Sequence, residues 1–348
     1  MADMKAAVLE AYGDLSHLTL KEVPIPEPKP EQVRIQIKAV GFNPVDYKIR
    51  QGVYGGEAPI ILGCDCSGII DKVGSAVEGF SVGDEVYAMA FGSQPSNGSY
   101  AEYLCIPANM VAPKPKKLSF IQAAAVPLAA MTAYRALITS PSVNADKDIF
   151  IAGAGGGVGS FAVQFAKYQK VKDIYSIARN TESAEYITKQ LGIKPEHIIL
   201  YEGLSMDALQ EKIIKLHQGK LFEASYDFVG NDIKRLCLQL TNFSGHFASI
   251  LPERGEFSFP VWEAGKSLCF NRSMSLHLIF VGAESLANSN ELLKIYSRQL
   301  SHITELMDNG IIQVPKITVV GKFALETIKE AHRLLESGHV KGKLVMEL

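Results

Sequence analysis

Residues 149–161 read IFIAGAGGGVGSF. A glycine-rich run lies between two apolar stretches, so the backbone there must approach something that side chains would hold away. The flanks say what kind of turn this is. "DIFIAG" has strand character and "GVGSFAVQFAKYQK" has helical character, so the glycines join a strand to a helix. A helix N-terminus presents unpaired N–H groups and a partial positive charge, which suits a pyrophosphate. Glycines let the backbone approach the phosphates and let the helix pack closely on the strand. The motif is Ala154-x-Gly156-x-x-Gly159, with alanine at the first glycine position. It points to a dinucleotide cradled by Ala154, Gly156, Gly157, Val158 and Gly159. The alternative is a tight turn that binds nothing.

Outward from that turn the strand–helix rhythm continues. "DIYSIA", "HIILY", "EASYDFVG" and "GHFASIL" read as strands, separated by helical stretches such as "TESAEYITKQLG" and "SMDALQEKIIKLHQ". This alternation predicts a parallel sheet with helices on both faces, an α/β doubly wound domain. A further run, "SLHLIFVG", is apolar without clean alternation, as a strand covered on both faces would be. Upstream, to residue 113, the pattern is short strands such as "LTLKEV", "VRIQIKAVG" and "GDEVYAMA" broken by Pro- and Gly-rich turns, which suggests a compact barrel or sandwich. "SFIQAAAVPLAAMTAYRALI" looks helical, with Pro127 as its interruption. The last sixty residues read as two helices and two strands ending in "GKLVMEL".

Composition excludes several classes. The chain has 348 residues, 47% hydrophobic and 21% charged, with a formal net charge of −2. That is no basic field for nucleic acid. No apolar run approaches the roughly 18 residues of a membrane span. The start, "MADMKAAVLEAYGD", carries charges where a signal peptide needs an apolar core. Cys64, Cys66, Cys105, Cys237 and Cys269 are scattered and odd in number. They read as reduced thiols and suggest a cytoplasmic protein. No G-x-S-x-G elbow supports hydrolase chemistry.

A β-rich N-terminal part, then "AGAGGGVGSFAVQFAK", then "GKLVM" resembles the medium-chain dehydrogenase/reductase superfamily. "GFNPVDYKIRQGVY", "ILGCDCSGIIDKVGSAVEGFSVGDEVYAM" and "NGSYAEYL" are similar to its zinc-independent, ζ-crystallin-like quinone oxidoreductases. The resemblance implies a GroES-like β-barrel catalytic domain over 1–126, completed by 284–348, and a Rossmann domain over 127–283. It implies an active site in the cleft between them, with NADPH reducing a quinone or an α,β-unsaturated carbonyl. It also implies a homodimer, with the "SLHLIFVG" strand pairing with its copy near Leu276–Val281; a bare edge strand there would be an aggregation hazard.

Zinc alcohol dehydrogenases of that superfamily hold catalytic zinc with Cys, His and Cys. The corresponding positions here fall on Asn43, Cys64 and the neighbourhood of Leu128, which is no ligand set. The run of cysteines that holds structural zinc is also missing between Ala90 and Tyr100. The expectation is no metal. Without one, the charge that develops on substrate oxygen needs hydrogen-bond donors. Asn43 and Tyr54 match pocket positions of the resembled family, which implies substrate contacts for both and a cofactor contact as well for Asn43, its amide facing substrate and nicotinamide. Lys48 stands where that family often has tyrosine. The alternatives are that Asn43-Pro44 is only a turn, with Asp46 capping a short helix, and that Tyr54 is a loop aromatic. Trp262, the only tryptophan, either lines the cleft or anchors an ordinary loop.

The preferred dinucleotide is read at the end of the second strand. NAD enzymes of this fold place an acidic residue there, roughly 20 residues past the glycines. In "DIYSIARN" the acid, Asp173, stands at the start, and the end carries Ala178, Arg179 and Asn180. Arg179 can grip a 2′-phosphate, or it is a solvated charge. Tyr201 matches a phosphate-contacting position of the resembled family. The reading is therefore NADPH. Two other classes stay open: an alcohol dehydrogenase acting on a C–OH bond, and a dinucleotide-binding protein with little turnover.

Overall fold

The computed structural model describes residues 2–91, 98–139, 145–252, 261, 263, 265–287 and 289–348. Trp262 lies outside them. The chain forms two compact units, Met1–Met131 with Val281–Leu348, and Thr132–Phe280.

The second unit carries a six-stranded sheet in which every neighbouring pair is parallel. Across it run Ile198–Leu200, Asp173–Ala178, Asp148–Ala152, Phe222–Asp227, Thr241–Ser249 and Ser275–Leu278. In chain order that is 3-2-1-4-5-6, so the sequence of strands reverses beside Asp148–Ala152. Its apolar residues are buried on both faces, as a central parallel strand requires. Phe150, Phe222, Phe247 and Ile177 from the strands close the core with Leu209, Ile213 and Leu236 from the helices. The helices start where short polar side chains can cap them. Asn180 accepts from Ser183 N–H to open Thr181–Leu191, which ends on Gly192 at φ +63°.

The "SLHLIFVG" run departs from its expected shape. Only Ser275–Leu278 is strand, it pairs with Thr241–Ser249 alone among the described strands, and Leu278 is 84% exposed. The run is the edge strand that the dimer expectation requires, but it is shorter, and the exposed Leu278 leaves one of its faces uncovered.

The first unit holds two sheets. Asp3–Leu9 lies between Leu18–Pro24 and Ile60–Ile61. The larger sheet runs Ile317–Lys322, Lys343–Glu347, Gln32–Phe42, Asp65–Val73, Glu85–Met89 and Val111–Pro113, with Tyr103–Pro107 also on Gln32–Phe42. Lys343–Glu347 pairs antiparallel with Gln32–Phe42 in register Leu344 to Phe42. The chain's last strand is thereby set against the turn that follows Phe42. Pro127 breaks the expected long helix into Phe120–Ala124 and Pro127–Tyr134, opening the second as proline does without losing a helical hydrogen bond.

Candidate active site

In the second unit the glycine turn leaves the strand Asp148–Ala152 and enters the helix Gly157–Tyr168, with Gly156 at its N-cap. Gly153 turns the chain at φ +83°, a conformation that only glycine adopts cheaply. At Gly159 an added Cβ would stand 2.0 Å from the Gly153 carbonyl oxygen, so that glycine is required by helix–strand contact. Gly155 and Gly156 differ. A Cβ there would come no closer to the protein than 3.6 Å and 3.4 Å. Packing does not demand glycine at either.

Beside this turn, Ala178 ends its strand buried and Arg179 stands exposed. The side chain of Asn180 is engaged as a helix cap. Tyr201 follows the neighbouring strand, its N–H bonded to the Ala178 carbonyl, and its ring packs on the core. The structure adds a residue that the sequence reading passed over. Glu202 places Oε1 3.3 Å from Nε of Arg179. A carboxylate is therefore present at this corner, supplied by the adjacent strand.

In the first unit Asn43 lies at the centre of a buried polar group. It is the N-cap of the helix Pro44–Arg50 and is 2% exposed. Its N–H donates to Asp46 Oδ2 at 2.8 Å and its Nδ2 to Asp65 Oδ2 at 2.8 Å. Its Oδ1 accepts from Lys343 Nζ at 2.5 Å. Asp65 also accepts from the Leu128 N–H at 2.9 Å. Burial raises the Asp65 pKa, against Lys343, Asn43 and the Leu128 N–H, which pull it down. Burial pushes Asp46 up to about 6, against the Cys64 thiol and the Asn43 N–H. Asp46 Oδ1 finds no hydrogen-bond partner among the described residues. The Cys64 thiol, itself raised well above its usual range by burial and by Asp46, is a weak donor. Tyr54, in contrast, is 41% exposed, with Phe91 edge-on at 6.3 Å between ring centres.

Residues 29–116 match the alcohol dehydrogenase GroES-like domain, and residues 197–346 match a family described as zinc-binding dehydrogenase. A quinone-oxidoreductase homolog from spinach, Spinacia oleracea, is 38% identical over 99% of this chain and 98% of its own. A 2-methylene-furan-3-one reductase from Solanum lycopersicum is 30% identical over 99% of this chain and 79% of its own. The chain belongs to the medium-chain dehydrogenase/reductase superfamily. Among solved structures, an alcohol dehydrogenase superfamily protein from Novosphingobium aromaticivorans superposes at a TM-score of 0.83, with 26% identity and 99% of both chains covered. The quinone oxidoreductase from Coxiella burnetii gives 0.76 at 27% identity over both full lengths. The first unit is the GroES-like domain of this superfamily and the second its Rossmann-like, dinucleotide-binding one.

The zinc in one family description does not fit the donors present. Asn43 Nδ2 and the Leu128 N–H are both donors to Asp65. A metal needs lone pairs there. Cys64 holds its proton, and the space beside Asn43 Oδ1 already contains the Lys343 ammonium. Among the described residues no three His, Cys, Asp or Glu side chains are placed to share an ion. No described helix is long and apolar enough to cross a membrane.

Proposed function

We propose that the protein is a zinc-independent, NADPH-dependent reductase of quinones or α,β-unsaturated carbonyls. Within a dinucleotide-binding oxidoreductase family, one observation carries the reading: the polar centre of the first unit is organised by an ammonium and hydrogen-bond donors rather than by metal ligands. Such a centre suits reactions in which charge on a carbonyl oxygen is met by N–H groups. A zinc alcohol dehydrogenase polarises the alcohol oxygen with its metal, and the donors at this centre do not fit one. The names of the spinach and tomato relatives support the same substrate class.

Bound NADPH supplies the hydride. The chain's own residues do the rest. Gly155, Gly156 and the first turn of Gly157–Tyr168 take the pyrophosphate, and Arg179 takes the 2′-phosphate. Asn43 and the exposed Tyr54 meet the substrate, whose proton water supplies. We also read the edge at Leu276–Val281 as a homodimer contact, supported by its open strand and by Leu278. The five free, buried cysteines support a cytoplasmic setting.

The test is NADPH and NADH oxidation by the purified protein against a panel of quinones and enones, with alcohols and NADP+ as the reverse arm. Turnover on the panel, unchanged by chelators, is the expected result. Activity confined to alcohols, or inactivation by chelator that zinc reverses, would overturn the reading. Sedimentation at micromolar concentration tests the dimer.

A further inference from the structure

The first unit contains a buried cation whose placement goes beyond fold stability. Lys343 is the first residue of the last strand, and its side chain is 3% exposed. Nζ lies 3.0 Å from the Phe42 carbonyl oxygen, 2.5 Å from Asn43 Oδ1 and 3.5 Å from Asp65 Oδ2. An ammonium has three N–H donors and here faces three oxygens. Asp65, fully buried, is in turn held by Asn43 Nδ2 and the Leu128 N–H.

We infer that Lys343 is a positioning residue: with Asp65 it fixes which end of the Asn43 amide points which way, so that a buried ion pair takes the organising role in this centre that a metal would otherwise have. An amide is nearly symmetric in shape, and packing alone does not choose between its two orientations. Charge does. In the observed orientation the carbonyl meets the ammonium and the N–H₂ meets the carboxylate. Turned over, the carbonyl would face a carboxylate and the N–H₂ an ammonium, two repulsive contacts in a site that excludes water. The pair therefore leaves one orientation, with one N–H on Asp65 and the second hydrogen of Nδ2 fixed in direction. The same pair explains why the zinc description does not carry over: a second cation would stand beside Lys343. The inference rests on the proposed substrate role of Asn43, and the experiment separates the two.

Lys343→Met removes the charge and keeps the stem. The double variant Lys343→Met/Asp65→Asn also removes the carboxylate that the single variant strands, which is the usual source of instability when half a buried pair is lost. The double variant is expected to regain most of the melting temperature lost by Lys343→Met. Its kcat should stay at least about ten-fold low, with NADPH Kd within about two-fold, for the orientational preference is gone. Lys343→Met/Asn43→Ala should be no slower than Asn43→Ala alone, because Lys343 acts through that amide. Independently of turnover, the ¹⁵N-resolved Asn43 side-chain amide should be a single exchange-protected pair in the native protein. In the Lys343→Met/Asp65→Asn variant it should double or lose protection. Recovery of kcat together with melting temperature, multiplicative effects of Lys343→Met and Asn43→Ala, or one protected amide pair in the double variant would each overturn the inference. Full turnover by Asn43→Ala would instead sink the substrate role while leaving the amide measurement to decide the orientation.

Discussion

The Tyr100 hydroxyl lies 3.1 Å from Nε2 of His332, although 232 residues separate them in the chain. The direction of this bond follows from its neighbours. Arg50 Nε–H donates to His332 Nδ1 at 3.3 Å, so the ring proton sits on Nε2 and donates to the Tyr100 oxygen. The Tyr100 O–H then donates to Asp46 Oδ2 at 3.1 Å. Arg50 is itself held by the Gly13 carbonyl and by Glu336. Arg50, His332, Tyr100 and Asp46 are all buried. An arginine gives up no proton, so the chain cannot feed His332 from its outer end. It orders Asp46, and through Asp46 the turn at Asn43.

This geometry predicts two opposed acid responses. Burial, then Arg50, pushes His332 down to about 3. Between its unfolded value near 6.5 and that figure, only the unfolded state takes the proton, so acid favours unfolding. Asp46 is raised from 3.8 to about 6 by burial. In that window the folded state takes the proton first, so acid favours folding. The groups facing the pair are Cys64, Tyr100, Asp65, Lys343 and Arg50. His332→Gln should therefore lose less stability than the native protein between pH 6.5 and 4.5, by up to about 2–3 kcal/mol. Asp46→Asn should lose more. Urea midpoints across that range measure both; a His332→Gln curve parallel to the native one would mean that the imidazole is not held neutral.

Asn43→Ala is expected to lower kcat far more than it weakens NADPH binding. Loss of one transition-state hydrogen bond is worth roughly 10²–10³ in rate at most. Steady-state kinetics beside fluorescence titration of NADPH separates the two; a change confined to NADPH affinity would reassign Asn43 to the cofactor.

Much of this chain is legible in its sequence, for local reasons. The turn at 149–161 announces itself because glycine spacing and the apolar strand beside it are neighbours in sequence. Pro127 marks its own helix break. The misses are non-local. Asp3–Leu9 has charges only at Asp3 and Lys5 and then runs Ala-Ala-Val-Leu, with no clean alternation to mark a strand, yet Leu18–Pro24 pairs along its whole length. Lys343 sits in an ordinary strand start, and its target, Asn43, is 300 residues away. Glu202 was invisible to a search for an acid on the strand Asp173–Ala178. Register places Leu200 beside Ala178, so the next strand delivers its own acid to the same corner.

That acid changes what to expect of cofactor choice. Arg179 and Glu202 are both about half exposed, so their pair is worth little by itself. A 2′-phosphate would take Arg179 from Glu202 and meet the carboxylate's repulsion; a 2′-hydroxyl would meet an acceptor. Charged hydrogen bonds are worth roughly 1.5–3 kcal/mol, or about 10–100-fold. Arg179→Ala should erase most of the NADPH preference through NADPH alone, and Glu202→Gln should widen it. Dissociation constants for the two cofactors decide; equal binding by the native protein would remove the 2′-phosphate role of Arg179.

Two glycines of the turn should respond in opposite ways. At Gly159 a Cβ would lie 2.0 Å from the Gly153 oxygen and 2.7 Å from the Ala154 Cα, both backbone. Neither can rotate away, so Gly159→Ala must lift the helix from its strand, at a cost of roughly 1–3 kcal/mol, and lower the melting temperature of the free protein. At Gly155 the nearest atom is Tyr186 Cδ1 at 3.6 Å, an ordinary contact. Gly155→Ala should leave the melting temperature without cofactor within about a degree of native. If the pyrophosphate lies against this backbone, the same methyl group stands in its place, and NADPH affinity should fall by at least about ten-fold. Thermal melts with and without NADPH read both effects at once. A Gly155→Ala protein that keeps native stability and native NADPH affinity would show that no phosphate lies against the Gly155 backbone.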